Sequence, residues 1–122
     1  FMIEADAAKL TQILYNLLSN AVKFTGTGGQ IEIYVYKRED VAEFIVRDNG
    51  IGIAEQDQKK VFVEFEQVDS SYTREYEGTG LGLPLVKKMV EMHGGYVYLK
   101  SALGEGTEVI FLIPLQQGMK KQ

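Results

Sequence analysis

The stretch Asp48-Asn49-Gly50-Ile51-Gly52 most restricts how this chain can fold. It follows Val41-Ala42-Glu43-Phe44-Ile45-Val46-Arg47, where apolar and charged residues fall mostly at alternate positions. That period predicts a strand with Ala42, Phe44 and Val46 on the core face and Glu43 and Arg47 on the other. The strand ends in an acid and two glycines one residue apart. A carboxylate there can accept a hydrogen bond from a ligand amino group, and the glycines let a flat ligand approach the main chain closely. The same five residues also spell an ordinary turn. Other stretches decide between the two readings.

Upstream, Asp6 reads as the N-cap of a helix reaching about Phe24. Leu10, Ile13, Leu14, Leu17, Leu18 and Ala21 recur at three- and four-residue spacing, an amphipathic stripe. Lys9, Asn16, Asn20 and Lys23 project to one side of the same helix. Asparagine is a poor helix former, and a lone one reads as part of a solvated face. Two asparagines with two lysines beside an apolar stripe fit better as the polar wall of an anion site. Asn offers an amide oxygen suited to a hard cation, and Lys offers charge for phosphate. Thr25-Gly26-Thr27-Gly28-Gly29 stops the helix. Residues 30–37 and 41–48 are predicted to pair as a hairpin across Arg38-Glu39-Asp40. Residues 2–5 are expected to form a short edge strand, and 54–62 a short helix with Lys59 and Lys60 exposed.

Residues 64–77 have no clean period and are rich in Glu, Ser and Tyr. A long irregular segment between glycine-rich stretches reads as a lid rather than as a plain surface loop. Gly78-Thr79-Gly80-Leu81-Gly82-Leu83-Pro84 then opens a second long helix, with Pro84 expected in its first turn. Leu85, Val86, Met89, Val90 and Met92 supply its apolar face, and His93-Gly94-Gly95 its stop. Glycines at a helix N-terminus leave orphan N–H groups open to an anion, with the macrodipole behind them. Residues 96–103 and 107–114 read as two closing strands joined at Gly104-Glu105-Gly106.

Composition removes several function classes. The 122 residues fit one domain, and 45% hydrophobic content supports a real core. There is no Cys and one His, so thiolate and His-cluster metal sites are not expected. A net charge of −4 argues against nucleic acid as a partner. No apolar run approaches the ~20 residues of a membrane span, so no direct membrane contact is expected of this segment. The chain opens at Phe1 without an initiator Met, and residues 1–122 read as a single domain cut from a longer protein. There is no G-x-x-x-x-G-K-[ST] loop, and neither register of the second glycine box completes a dinucleotide fingerprint. The H-R-D and D-F-G elements of protein kinases are also missing.

Four separated stretches together resemble one family, the catalytic ATP-binding domain of bacterial sensor histidine kinases, within the superfamily that includes gyrase B subunits. Asn16-Leu17-Leu18-Ser19-Asn20-Ala21-Val22-Lys23-Phe24-Thr25 looks like the N box, and Asp48-Asn49-Gly50-Ile51-Gly52 like the G1 box. Phe62 and Phe65 look like the F box, and Gly78-Thr79-Gly80-Leu81-Gly82-Leu83 like the G2 box. Order and spacing agree over about residues 4–115. The resemblance implies a Bergerat ATP-binding fold, a two-layer α/β sandwich. Its mixed sheet would have about five strands, with about three helices on one face.

The resemblance also implies residue roles. Asp48 would accept the adenine amino group, and Asn20 would coordinate the Mg²⁺ that bridges the phosphates of ATP. Asn16 and Lys23 would contact phosphate or the metal's waters and, with Asn20, form the catalytic group. Gly50 and Gly52 would shape the adenine pocket, and the F-box residues Phe62 and Phe65 would border the nucleotide. Gly78, Thr79, Gly80, Leu81, Gly82 and Leu83 would hold phosphate oxygens and hinge the lid, and Arg74 would steady the γ-phosphate. Gyrase-type hydrolases carry a water-activating Glu four residues before the metal-binding Asn. Asn16 stands there in this chain and cannot act as a general base.

By the same resemblance, γ-phosphoryl transfer needs a His on a separate dimerisation and phosphoacceptor domain, and a response regulator receiver domain would act downstream. The parent protein would be a cytoplasmic or membrane-anchored kinase with this domain in the cytoplasm. Two alternatives stand beside this reading: a catalytically silent, nucleotide-dependent interaction module, and a serine kinase of the anti-sigma type on the same fold. His93 is expected to be a helix-end residue and not an acceptor. Thirteen residues separate it from Gly80, about 20 Å along a helix.

Overall fold

A computed structural model describes residues 5–61 and 79–116, with the backbone alone at 79–82. Helix α1 spans Ala7–Thr25. Strands β1 (Ile31–Arg38) and β2 (Val41–Asp48) follow as a hairpin. A single turn, α2 (Glu55–Gln58), precedes the long helix α3 (Thr79–Met92). Strands β3 (Tyr96–Ser101) and β4 (Thr107–Pro114) close the fold as a second hairpin.

The helix ends obey local chemistry. The Asp6 carboxylate accepts the Lys9 N–H at 3.1 Å and caps α1, as its place before the apolar stripe predicts. Helix α3 stops where Gly94 takes φ +84°, the left-handed cap that a glycine allows without steric penalty. Pro84 departs from expectation. The helix begins at Thr79, so Pro84 lies in its second turn rather than its first.

Both hairpins are antiparallel, and they join centre to centre through β2 and β4, giving the order β1-β2-β4-β3. The described sheet therefore has four strands, all antiparallel, where about five in a mixed sheet were expected. Most of the expected edge strand at 2–5 lies outside the described residues. The α/β architecture itself holds. One face of the sheet receives α1 and α3, which pack on each other. Alternation along β2 puts Ala42, Phe44 and Val46 on that face, and β4 adds Val109, Phe111 and Ile113. Phe44 and Phe111 are direct cross-strand partners whose rings stack at 4.5 Å. Ile13, Leu17 and Ala21 from α1 and Val86, Met89 and Val90 from α3 close the core. On α3 the buried stripe differs from expectation: Leu83 is core, while Leu85 and Met92 are 43% and 62% exposed. Helix pitch carries positions 83, 86, 89/90 and 93 onto the sheet, and 85 and 92 fall on the flank.

No described helix covers the opposite face. A row of alternating charge crosses all four strands there: Glu32, Arg47, Glu108 and Lys100. Arg47 donates to Glu108 at 2.6 Å and to Glu32 at 3.4 Å. These groups are exposed and screened by solvent, so the row matters more for strand register than for stability.

The β3–β4 hairpin is seated by a contact only glycine permits. A Cβ on Gly95 would stand 1.7 Å from the Leu112 carbonyl oxygen. Gly95→Ala should therefore destabilise the domain by about 3 kcal/mol, the upper end for overpacking because backbone cannot rotate away. Urea unfolding checks this. A loss below about 0.5 kcal/mol would show that the two backbones separate freely.

Candidate functional site

Helix α1 carries the polar wall. Asn20 is 9% exposed and Asn16 half-buried, both along the edge of the Ile13–Leu17 stripe. The Nδ2 of each is sealed from solvent and has no hydrogen-bond partner among the described residues. A buried donor left unmade costs about 1–3 kcal/mol. Two on consecutive turns of one helix mark a place built to receive acceptor atoms from outside. Lys23 stands exposed beyond them, so its charge is available to an anion. Lys9 does not join this wall. Its ammonium pairs with Asp6 at 3.6 Å, near the opposite end of α1.

Asp48 ends β2 on the same face of the sheet and is 6% exposed. Its Oδ1 accepts the Gly50 N–H at 2.9 Å. Burial pushes its carboxyl above the ordinary range, and the backbone N–H groups of Gly50 and Thr107 partly offset that. A buried carboxylate with acceptor capacity to spare can read an amino donor.

The two glycines after Asp48 serve the protein's own packing. A Cβ on Gly50 would meet the Phe24 carbonyl oxygen at 2.2 Å, and one on Gly52 the Ala102 carbonyl oxygen at 2.0 Å. Gly52 also takes φ +77°. The loop thus lies between the end of α1 and the β3–β4 turn. The Ile51 N–H donates to the Phe24 carbonyl at 3.3 Å, and the Gly104 N–H to the Ile51 carbonyl at 2.8 Å. Asn49 serves the fold: its Oδ1 accepts the Gln30 N–H at 2.8 Å and fixes the start of β1.

Sequence reading missed these braces. It also missed Ser101, whose hydroxyl accepts the Ile53 N–H at 2.8 Å and donates to the Gly106 carbonyl, locking the far side of the loop. The doubled glycines of the loop and of the β3–β4 turn were the signal for a close approach, but not for what approaches.

Asp48, Gly50, Gly52, Asn16, Asn20 and Lys23 are thus assembled on and around the C-terminal half of α1. Thr79, Gly80, Leu81 and Gly82 form the first turn of α3. Leu83 is 5% exposed in the core, which leaves only its backbone for a ligand. Phe62, Phe65, Arg74, Gly78 and the expected lid at 64–77 lie outside the described residues.

A separate cleft of about 380 Å³ lies at the strand ends, between Arg47, Asp48, Lys100 and Glu105. It takes in none of the polar residues of α1, and its Arg47 is already bound to two glutamates.

The raised carboxyl has a consequence for stability. Folding disfavours the charged form of Asp48, so ionisation there destabilises the domain at neutral pH, and the penalty fades as pH falls through the raised value. Asp48→Asn keeps an acceptor for Gly50 and removes the charge. It should raise the melting temperature of the ligand-free domain at pH 7, by a margin that shrinks toward pH 4. Thermal melts across that range check the sign.

Residues 5–117 match the family described as histidine kinase-, DNA gyrase B- and HSP90-like ATPase. The circadian input-output histidine kinase CikA of Synechococcus elongatus is 48% identical over 115 residues, covering 94% of this chain and 15% of that protein. The sensor histidine kinase WalK of Bacillus subtilis is 42% identical over 117 residues, 94% of this chain and 19% of its own length. Among solved structures, the catalytic domain of histidine kinase ThkA superposes with a TM-score of 0.78 at 32% identity, over 93% of this chain and 70% of that one. Full-length ShkA in complex with AMPPNP superposes at 0.79 and 33% identity, over 95% of this chain and 23% of that one. The chain therefore spans only a fifth or less of the CikA and WalK kinases it matches. With the buried acid at the strand end and the amide wall on α1, these likenesses establish that the chain belongs to the histidine kinase branch of the histidine kinase, gyrase B and HSP90-like ATPase family, as an ATP-binding catalytic domain.

Proposed function

We propose that this domain binds ATP·Mg²⁺ and presents the γ-phosphoryl group to a His on a separate dimerisation and phosphoacceptor domain. The observation that carries the reading is the pair of partnerless, sealed amides at Asn16 and Asn20, one loop away from the buried Asp48. Asp48 accepts the adenine amino group. Asn20 would offer its amide oxygen to the metal, which when bound would supply charge neutralisation. Asn16 and Lys23 bind phosphate oxygens or metal-bound water. Backbone N–H groups at Thr79, Gly80, Leu81 and Gly82 lie at the N-terminus of α3, where an anion is favoured. Gly78, Arg74, Phe62 and Phe65 complete the site on this reading.

The transfer breaks the bond from the γ-phosphorus to the bridging oxygen of ADP and forms one to an imidazole nitrogen. The domain's part is positioning and electrostatic stabilisation. Asn16 stands where a water-activating acid would be needed, so the site holds ATP without spending it on hydrolysis. His93 is not the acceptor: both ring nitrogens are engaged and the residue is 4% exposed. On this reading residues 1–122 are one domain of a longer kinase that works in the cytoplasm and passes its phosphoryl group to a receiver domain. No helix among the described residues is long and apolar enough to cross a membrane.

Two variants test the reading. Calorimetry should show ATP·Mg²⁺ binding with a Kd between about 1 μM and 1 mM. Asp48→Ala should weaken it about ten- to a hundredfold, the worth of a hydrogen bond to a charged group, and should narrow the preference for ATP over GTP. Wild-type affinity and selectivity in that variant would reduce Asp48 to a turn residue. Asn20→Ala should weaken binding with Mg²⁺ more than binding with EDTA, because Mg²⁺ takes few protein ligands. Equal losses in the two buffers would remove Asn20 from the metal site.

A further inference from the structure

His93 lies far from the proposed phosphate site and is used by none of the roles above. It is nonetheless buried and fully bonded. Its Nδ1 lies 2.9 Å from the Met89 carbonyl oxygen, and its Nε2 accepts the Asp6 backbone N–H at 3.1 Å. A carbonyl only accepts, so Nδ1 carries the proton; an N–H only donates, so Nε2 is bare. One neutral tautomer satisfies both bonds. Each bond fills an orphan group at a helix end: a last-turn carbonyl of α3 and the N–H of the N-cap residue of α1. His93 and Asp6 are 87 positions apart.

The bond joins the start of α1 to the end of α3, and the helices pack along one another. They therefore run in opposite directions, and the end of α1 faces the start of α3. Asn20 is fourteen residues from Asp6, and Gly80 is thirteen from His93. At 1.5 Å per residue both arms reach about 20 Å from the imidazole. The amide wall of α1 and the glycine turn of α3 thus sit at equal distances from one shared pin.

We propose that His93 is a positioning residue that sets the axial register of α1 against α3, and so the spacing between Asn16/Asn20 and the N-terminal turn of α3 that a nucleotide triphosphate must bridge. The inference rests on the ATP reading given above. It makes a distinction that a merely structural histidine would not. The phosphate-binding groups are split between α1 and α3, whereas the Asp48 loop is held by α1 and the sheet. Loss of register should therefore weaken recognition of phosphates and spare recognition of adenosine.

Two conservative variants separate the bonds of the imidazole. Asn places its amide where Nδ1 stands, and Gln places its amide where Nε2 stands. His93→Asn keeps the reach to Met89 and loses the link to Asp6, while His93→Gln keeps the link. Dissociation constants for AMP-PNP·Mg²⁺ and for adenosine should be measured by competition on both, with melting temperatures to confirm folding. His93→Asn is expected to weaken AMP-PNP·Mg²⁺ about fivefold, or about 1 kcal/mol at 1.4 kcal/mol per decade, with adenosine unchanged. His93→Gln should stay near wild type for both ligands.

Should His93→Asn not fold, Asp6 supplies the same test from the other side. Its φ of −75° suits proline, so Asp6→Pro removes the N–H without straining the backbone. Asp6→Ala removes only the carboxylate cap and serves as the control. Asp6→Pro should then show the fivefold loss relative to Asp6→Ala. Equal AMP-PNP·Mg²⁺ affinity across the link-keeping and link-breaking variants, with the wild type binding normally, would overturn the register role alone. So would a proportional loss for adenosine. A wild-type domain that binds neither ligand would overturn the ATP reading and this inference with it.

Discussion

The Phe24 carbonyl, accepting the Ile51 N–H, is the contact on which the arrangement of the site depends. It ties the last turn of α1 to the loop after β2. Core packing seats α1 on β2, and this bond fixes the helix that carries Asn16 and Asn20 against the loop that follows Asp48. Gly50 makes it possible, since any side chain there would occupy the carbonyl's place. The loop is held on its other side by Ser101 and Gly104, so the acid is fixed from both flanks. A site braced in this way loses little entropy when a ligand arrives, which favours binding.

The domain stores unfavourable terms at the residues proposed to meet the nucleotide. Asp48 is held partly out of water, and two amide groups are sealed without partners. Other polar groups are matched within the chain: Asp6 caps α1, Asn49 fixes β1, and His93 bonds at both nitrogens, while the Thr25 hydroxyl at the end of α1 is, like the amides, sealed without a partner among the described residues. The contrast separates structural from functional polarity. The first kind is satisfied within the chain, and the second awaits acceptors and donors from outside.

The division of labour between the two long helices follows from their opposed directions. Helix α1 offers side chains from its C-terminal half, while α3 offers backbone N–H groups from its N-terminus. On the proposed ATP reading, a triphosphate lying between them would meet amides and a lysine on one wall and the positive end of a helix dipole on the other. The open face of the sheet carries none of the described residues proposed for the site. Its charge row and its tyrosine pairs, Tyr34 with Tyr36 and Tyr96 with Tyr98, pack among themselves.

The sequence alone determined the main elements and the buried faces of α1 and β2. The alternation in residues 41–47, the stripe on α1 and the stops at Gly26 and Gly94 act within a few residues, through backbone periods of 2 and 3.6. Three of the four boxes could therefore be placed, on a strand end, a helix side and a helix start, before any fold was known. Only the tertiary structure decided what those residues face. Gly50 and Gly52 read as room for a ligand, yet their missing side chains admit the Phe24 and Ala102 carbonyls. Leu83 read as part of the glycine box and is core, whereas Leu85 and Met92 read as core and are exposed. His93 read as a helix stop, and its second bond goes to Asp6 at the far end of the chain. Periodicity reports that a side is covered, but the identity of the cover is set by long-range packing, which no local pattern carries.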